Sequence, residues 1–256
     1  MKEQRTTSQL EEHRDDALQK IKTYIDTFIK SEDQKTQAKA DKFCYWLKDY
    51  IRFLNQEKSF DPKRRKRYKR GEIIKANLGF NVGSEEGGLH YCVVLDKHNP
   101  LNSPVITIIP LTSVKEDTNL ENMPQGNIYL GQEIYNELQQ KIHKLQKQAT
   151  TNNKELQEKI EKYSQKKDSQ PKNESLDELE KQLKRSKKIT GDLIKLKKEI
   201  SRMKQGSIAL TGQIRTISKI RIYNPTNSKD TLSNIRLSNE KLDLIDKAII
   251  EKYTNF

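Results

Sequence analysis

The chain has 256 residues, of which 33% are charged and only 32% are hydrophobic. Such a composition excludes a membrane-spanning protein and argues against one continuous core, and it predicts long charge-covered helices or disordered stretches. The 49 Lys and Arg against 36 Asp and Glu give a net charge of +13, which favours polyanionic partners, nucleic acid first. No apolar run is long enough to span a membrane, and the N-terminus lacks the apolar segment of a signal peptide. We therefore expect a cytoplasmic protein without membrane contact.

The use of cysteine and histidine argues against metal chemistry. The cysteines are too few for a disulfide scaffold or a cysteine zinc site, and we expect small buried hydrophobes at Cys44 and Cys92. The histidines show no spacing typical of metal ligands, since they stand far apart at His13, His90, His98 and His143. We expect neither a bound metal nor a cofactor.

The first 61 residues are predicted to form a helical hairpin. Apolar residues recur every three or four positions in two stretches, first at Leu18, Ile21, Ile25 and Phe28, and then at Ala40, Phe43, Leu47, Tyr50, Ile51 and Leu54. Trp46 and Phe53 lie off the second stripe. This position indicates that the second helix contacts other residues on two sides.

A basic run follows the hairpin at 62–70. Pro62 ends the helical pattern, and all but one of the residues from Lys63 to Arg70 are Lys or Arg. Such a run is either a solvated linker or a patch that contacts phosphate groups. The net charge of the chain slightly favours the second interpretation.

Two stretches of the chain read as β-structure and predict one small domain that is divided in the sequence. The first stretch, 71–130, contains Ile- and Val-rich segments bounded by Gly, Asn and Pro, at Glu72–Leu78, Tyr91–Leu95, Val105–Pro110 and Asn127–Leu130. The second stretch, 207–256, begins with the segments Ser207–Leu210 and Ile214–Ile222. An amphipathic helix behind an N-cap at Ser238 is predicted from Leu242, Ile245, Ile249 and Tyr253.

The intervening residues 131–206 are predicted to form a long helical insertion. Apolar positions recur at alternating three- and four-residue steps from Leu138 to Met203 among mostly polar residues. A polar break around Pro171 divides the stripe into two arms of similar length, about 45 Å each at 1.5 Å per residue. Equal arms favour an antiparallel coiled coil hinged at Gly131 and Gly206. The weaker alternative is an arm that pairs with a second subunit.

Four segments of the divided β domain carry a recognisable pattern. In chain order they read RGEIIKANL at 70–78, GSEEGG at 83–88 before an apolar strand, PLTS at 110–113 and QIRTI at 213–217. Their order, content and spacing resemble the PemK/MazF family of toxin endoribonucleases. Taken alone, the glycine-rich segment predicts a flexible hairpin loop, because a strand follows it rather than the helix of a phosphate-binding loop.

The resemblance implies both a fold and a function. The fold would be α+β, a small, strongly bent antiparallel β-barrel with a C-terminal helix, assembled as a homodimer. Members of the family cut single-stranded RNA without a metal, because the 2′-hydroxyl of the RNA attacks and leaves a 2′,3′-cyclic phosphate and a 5′-hydroxyl. A cognate antitoxin protein blocks the RNA groove. The expected function is therefore that of an endoribonuclease toxin with single-stranded RNA and an antitoxin as partners.

The resemblance also assigns candidate site residues. The principal catalytic arginine of the family falls on His90, and the proline that usually follows it falls on Tyr91. Because imidazole exchanges protons near neutral pH, His90 is the candidate proton-transfer residue, the alternative being a histidine that only packs at a strand start. Thr112 matches the catalytic threonine of the family. The expected RNA-binding residues are Ser84, Glu85, Gln213, Arg215, Thr216 and Arg70.

Two other functions stay open at the level of the sequence. A catalytically inactive module that keeps the fold and binds RNA or a protein partner would also lack the arginine. A poison of a host protein is the second alternative, since the related CcdB fold targets gyrase rather than RNA.

Overall fold

A computed structural model describes residues 5–165, 173–204 and 206–255. Within these ranges the chain forms five α-helices and a seven-stranded antiparallel sheet, so the α+β class is as predicted. The chain divides into two compact units. The first contains the two N-terminal helices and the segment Leu78–Leu89, and the second contains the rest of the sheet and the other helices. None of the helices in the described ranges is long and apolar enough to cross a membrane.

The first unit is built on a helical hairpin. Helix α1 spans Thr7–Ile29 and helix α2 spans Gln34–Glu57. Thr6 begins α1 with a capping box that includes Gln9. Asp33 begins α2, because its carboxylate accepts hydrogen bonds from the first backbone amides of the helix. The apolar stripes therefore form two helices, as predicted.

The second unit is organised around the sheet. Its strands are β1 (Ile73–Asn77), β2 (Leu89–Val94), β3 (Val105–Ser113), β4 (Asn127–Gly131), β5 (Ser207–Leu210), β6 (Arg215–Ser218) and β7 (Ile222–Asn224). The spatial order is β4-β5-β3-β2-β1-β7, and β6 pairs with β3 beside β5. The two sequence stretches predicted to form one β domain thus meet in one sheet, joined along β3.

The predicted β-barrel is wrong, because the sheet is not closed into a barrel. Strands β4 and β7 end the strand order, and within the described residues no ladder joins them. Each edge meets other groups instead of a strand. Lys241 donates to the carbonyl oxygen of Tyr129 on β4 (3.3 Å), and the side chain of Asn224 on β7 accepts a hydrogen bond from the backbone amide of Leu232 (2.9 Å).

Helices α3 (Glu133–Gln165) and α4 (Asn173–Ser201) form the predicted insertion. They run antiparallel, since Ser186 donates to Asn153 (2.9 Å) and Lys159, later in α3, pairs with Glu178, earlier in α4 (3.3 Å). Both predicted hinge glycines have left-handed backbones, with φ of +68° at Gly131 and +87° at Gly206. The predicted break at Pro171 lies outside the described residues.

One face of the sheet packs on three helices. The core of this face joins strands β1, β2 and β3 to α3, α4 and α5 (Asn239–Tyr253), through Ile73, Val93, Ile109, Leu111, Ile134, Leu138, Leu196, Leu242 and Ile245 among others. Helix α5 begins at the predicted N-cap, Ser238, whose hydroxyl accepts from the amide of Lys241. The alternate residues of the same strands, such as Cys92, Val94 and Ile108, are also fully buried. These residues define a second face of the sheet, and it carries the candidate site.

Candidate functional site

His90 and Thr112 lie on adjacent strands of the second face. Strands β2 and β3 pair antiparallel with Cys92 opposite Pro110, and the same register continued by two residues sets His90 opposite Thr112. Directly opposed residues share a face of the sheet, so both side chains belong to the second face. Both residues are half-buried at the end of the ladder. The sheet therefore brings the two predicted catalytic residues together.

The imidazole of His90 is oriented by a backbone carbonyl. Its Nδ1 atom lies 3.1 Å from the carbonyl oxygen of Leu111. A carbonyl oxygen only accepts hydrogen bonds, so Nδ1 carries the hydrogen and the lone pair of the neutral ring is on Nε2. This tautomer gives His90 a basic nitrogen on the side of the ring away from the carbonyl.

Thr112 presents a hydroxyl group that the fold does not use. The residue pairs with Ile208 of β5, and its Oγ1 makes no hydrogen bond to any residue that the structure describes. Because a half-buried hydroxyl without a protein partner is open to water or to a ligand, Thr112 has the chemistry to donate to a phosphate oxygen.

Arg215 of β6 lies on the same face of the sheet as His90 and Thr112. It pairs with Ile108, four residues from Thr112, which is about 13 Å at 3.3 Å per residue. Its Nη2 atom donates to Oε1 of Gln213 (3.3 Å), and across the described ranges no carboxylate pairs with it. The charge of this half-buried arginine is therefore not neutralised by the fold.

A short 3-10 turn at Thr211–Gln213 positions Gln213 and Arg215. It interrupts the strand that pairs with β3, separating β5 from β6. The C-terminal end of α5 holds the turn, since the hydroxyl of Tyr253 donates to the carbonyl oxygen of Thr211 (2.8 Å). The C-terminal helix therefore supports this part of the candidate site.

Two of the predicted RNA-binding residues lie elsewhere in the second unit. Thr216 pairs with Thr107, their hydroxyls are 3.2 Å apart, and both point to the face opposite Arg215. The guanidinium of Arg70 donates to the carbonyl oxygen of Leu95 and to Asp246 of α5. The structure does not bring these two residues to His90.

Ser84 and Glu85 lie in the first unit, in the loop of residues 78–88 that connects β1 to β2. Backbone hydrogen bonds close the stem of this loop, from Leu78 to Gly88 (2.7 Å) and from Gly88 to Gly79 (2.6 Å). A Cβ atom on Gly87 would lie 2.8 Å from the carbonyl oxygen of Gly79. The paired glycines of the GSEEGG segment are therefore needed by the stem, and Ser84 and Glu85 lie exposed near its tip.

The sequence did not reveal the group that holds β2 beside His90. Tyr91 donates to the carboxylate of Glu199 on α4, and Lys75 of β1 donates to the same oxygen (2.7 Å). Burial and the neighbouring carboxylate raise the pKa of Tyr91 above its usual range, so the phenol stays a donor. Burial alone would raise the pKa of Glu199, but the hydrogen bonds from Lys75 and Tyr91 outweigh it and lower that pKa. The only sequence signal was a tyrosine in place of the usual proline.

The basic run is packed against the second unit on one side and exposed on the other. Lys66 pairs with the buried Glu72 (2.7 Å), and the buried Tyr68 donates to the carbonyl oxygen of Pro225 (2.8 Å). Four other basic residues of the run are exposed: Lys63, Arg64, Arg67 and Lys69. The run is thus an anchored segment with an exposed basic edge, which suits contact with phosphate groups.

A cavity of about 690 Å³ lies between α3, α4 and the segment 224–235, and none of its lining residues is a predicted site residue. Lys141 at this cavity donates to the carbonyl oxygens of Thr231 (2.8 Å) and Ser233 (3.0 Å). Burial lowers the pKa of Lys141. This lysine serves the fold by joining α3 to the segment before α5.

No curated protein matches the chain. Residues 69–186 match the family model described as PemK-like, MazF-like toxin of type II toxin-antitoxin system. The matched range contains three of the four segments that carry the resemblance, as well as His90 and Thr112, and it ends before the segment 213–217. Residues 69–186 are therefore similar to the toxins of the PemK/MazF family.

Proposed function

We propose that the protein is a metal-independent endoribonuclease toxin that cleaves single-stranded RNA. The proposal is supported by the register of β2 and β3, which when extended sets His90 and Thr112 on one face of the sheet, and by Nδ1 of His90, which lies 3.1 Å from the carbonyl oxygen of Leu111. The family match also supports the proposal, because the matched family consists of toxins of type II toxin-antitoxin systems. Together they favour an enzyme over a binding module.

The proposed reaction is an internal transesterification of the RNA. Nε2 of His90 accepts the proton of the 2′-hydroxyl, the new O2′–P bond forms, and the P–O5′ bond breaks. The 5′-oxygen leaves with a proton from water, so the products are a 2′,3′-cyclic phosphate and a 5′-hydroxyl. The hydroxyl of Thr112 donates to a non-bridging oxygen of the phosphorane.

Positive charge near this site would hold the RNA backbone. Arg215 shares the face of His90 and has no carboxylate partner in the described ranges, so its guanidinium is suited to a phosphate on the flanking nucleotides. The exposed edge of the basic run and the net charge of +13 add long-range attraction for RNA.

The proposal includes the partners of a type II toxin. A cognate antitoxin would cover the RNA-binding surface, and the toxin would act in the cytoplasm as a homodimer. The match to a toxin of a toxin-antitoxin system supports the antitoxin.

Cleavage of a long single-stranded RNA in EDTA tests the proposed function. The purified protein should cut at discrete positions and leave 2′,3′-cyclic phosphate and 5′-hydroxyl ends. A substrate with a single 2′-deoxynucleotide at a mapped site should resist cleavage at that site alone. Cleavage that disappears with EDTA would contradict the metal-independent reaction. Intact RNA with retained binding would favour the inactive module, and growth arrest without cleavage would favour a poison of a host protein.

A further inference from the structure

Phe80 attaches the β1–β2 loop to the N-terminal helical hairpin. It follows the loop stem directly, and its ring meets that of Phe43 edge to face, with centroids 4.9 Å apart. The ring of Trp46 lies 6.3 Å away on the same helix. All three residues belong to the first unit, so this attachment is internal to it. Edge-to-face pairs of this kind stabilise beyond the area that they bury.

The attachment extends to both helices of the hairpin. Phe43 also contacts Tyr24 of α1 (5.6 Å), and Trp46 stacks on Tyr50 (5.6 Å). Six rings form this aromatic cluster: Tyr24, Phe28, Phe43, Trp46, Tyr50 and Phe80. An isolated two-helix hairpin buries little apolar surface, and none of the residues of α1 is buried. The loop therefore contributes one ring to the packing that holds α1 on α2.

The same loop is also closed at its stem. The hydrogen bonds between Leu78, Gly79 and Gly88 fix its two ends, and the side chain of Asn81 donates to the carbonyl oxygen of Glu86 across its middle. The tip between these contacts is exposed, including Ser84 and Glu85. A loop fixed at its stem and at Phe80 leaves only a few tip residues to be ordered by a ligand.

We propose that the α1–α2 hairpin is a clamp that preorganises the β1–β2 loop for RNA, and that Phe80 is the positioning residue through which it acts. The proposal rests on the proposed function, because it takes RNA as the ligand of the loop. Holding the loop in one shape removes the entropy cost of ordering it when RNA binds. The clamp therefore sets the affinity for RNA and leaves the chemical step at His90 unchanged.

Substitution of Phe80 in the full chain tests the clamp. Phe80→Ala should raise KM for RNA about tenfold, because binding must then pay the conformational entropy of ordering a few more loop residues. The value of kcat should stay within about twofold of that of the unaltered protein. Phe80→Tyr keeps the ring and should restore the KM of the unaltered protein. Tyr45→Ala is the matched control, because Tyr45 is an exposed aromatic residue of α2 outside the aromatic cluster, and its KM should not change.

The chain contains a single tryptophan, Trp46, which reports on the clamp without RNA. In Phe80→Ala its emission should shift to longer wavelength, and the amides of residues 81–86 should exchange hydrogen faster, while the melting curve stays cooperative. Unchanged exchange in the loop would overturn the clamp even if the protein cleaves no RNA. An unchanged KM beside a shifted emission would also overturn it. Absence of cleavage by the unaltered protein would sink the proposed function alone.

Discussion

Tyr91 on β2 donates a hydrogen bond to Glu199 on α4, although 108 residues separate them in the sequence. Lys75 binds the same carboxylate oxygen, and its ammonium group lies 4.9 Å from the centre of the Tyr91 ring. Because Tyr91 directly follows His90, this three-residue group fixes the strand that presents the candidate proton-transfer residue. The inserted helices are thereby part of the structure that supports the site.

Acid should destabilise the protein through Glu199. Its pKa is lowered in the folded state, so the stability that it contributes is present above the ordinary value of 4.5 and is lost as pH falls through the lower folded value. Glu199→Gln should remove this part of the acid dependence and cost about 1–3 kcal/mol at pH 7, because Lys75 loses its charged partner. Urea unfolding at pH 7 and pH 4 measures both effects.

A solvent-exposed ion pair on the same two inserted helices provides the control. Glu178 pairs with Lys159, but its side chain is 62% exposed. Glu178→Gln should therefore change the free energy of unfolding by less than about 1 kcal/mol. Equal effects of the two substitutions would contradict the role given to Glu199.

Gly87→Ala should disrupt the stem of the β1–β2 loop. The new Cβ atom would meet the carbonyl oxygen of Gly79 at 2.8 Å, and neither backbone can yield without loss of the stem hydrogen bonds. We expect at least ~1 kcal/mol of destabilisation and faster exchange at the Gly88 amide. At Gly83→Ala, where φ is +61° and space is open, only local strain is expected and the stem should remain protected. A protected stem in both variants would refute this account of the paired glycines.

Thr112→Val should lower activity without lowering stability. The Oγ1 atom has no partner among the described residues, so replacing it with a methyl group leaves no protein group unsatisfied. Loss of one donor to the phosphorane should slow single-turnover cleavage about 100-fold. Thr107→Val is the control on the same strand, since that hydroxyl contacts Thr216 on the other face. If both variants cleave RNA equally fast, the assignment of Thr112 fails.

The exposed edge of the basic run should set the salt dependence of RNA binding. Each lysine or arginine that contacts a phosphate of a single strand contributes about 0.7 to the slope of log K against log salt. The triple variant Lys63→Ala, Arg67→Ala and Lys69→Ala should therefore bind more weakly and lower the slope by up to about 2, with kcat unchanged. Titrations at several salt concentrations measure the slope. An unaltered slope would mean that RNA does not reach this edge.

Local sequence signals predicted the elements of the fold well. The spacing of apolar side chains by three and four residues predicted each α-helix. Ser238 begins α5, as its residue type and position indicated. The strand segments were found because Ile and Val cluster between turn residues. The predicted segment Ile214–Ile222 differs from the structure, because a 3-10 helix at Lys219–Arg221 separates β6 from β7 and β7 extends to Asn224.

Long-range relationships account for most of what the sequence could not predict. The sheet stays open because its end strands β4 and β7 do not pair with each other among the described residues, a long-range relationship that no local pattern encodes. The face of the sheet on which Thr216 lies depends on the 3-10 turn at Thr211–Gln213. This turn changes which side chains of the following strand, β6, point to each face. Arg70 belonged to a recognisable segment, but its pairing with Asp246 spans 176 residues. That His90 and Thr112 lie near each other could be predicted from the sequence, because each lies at a strand end in a segment of the family pattern.

Chemical rescue with imidazole shows whether the side chain of His90 transfers a proton during RNA cleavage. Single-turnover cleavage in EDTA should be about 100- to 1,000-fold slower in His90→Ala. Added imidazole should raise the rate of His90→Ala in proportion to its concentration, and should not accelerate Thr112→Val or the unaltered protein. Cleavage by His90→Ala at the rate of the unaltered protein, with no response to imidazole, would mean that His90 does not transfer the proton.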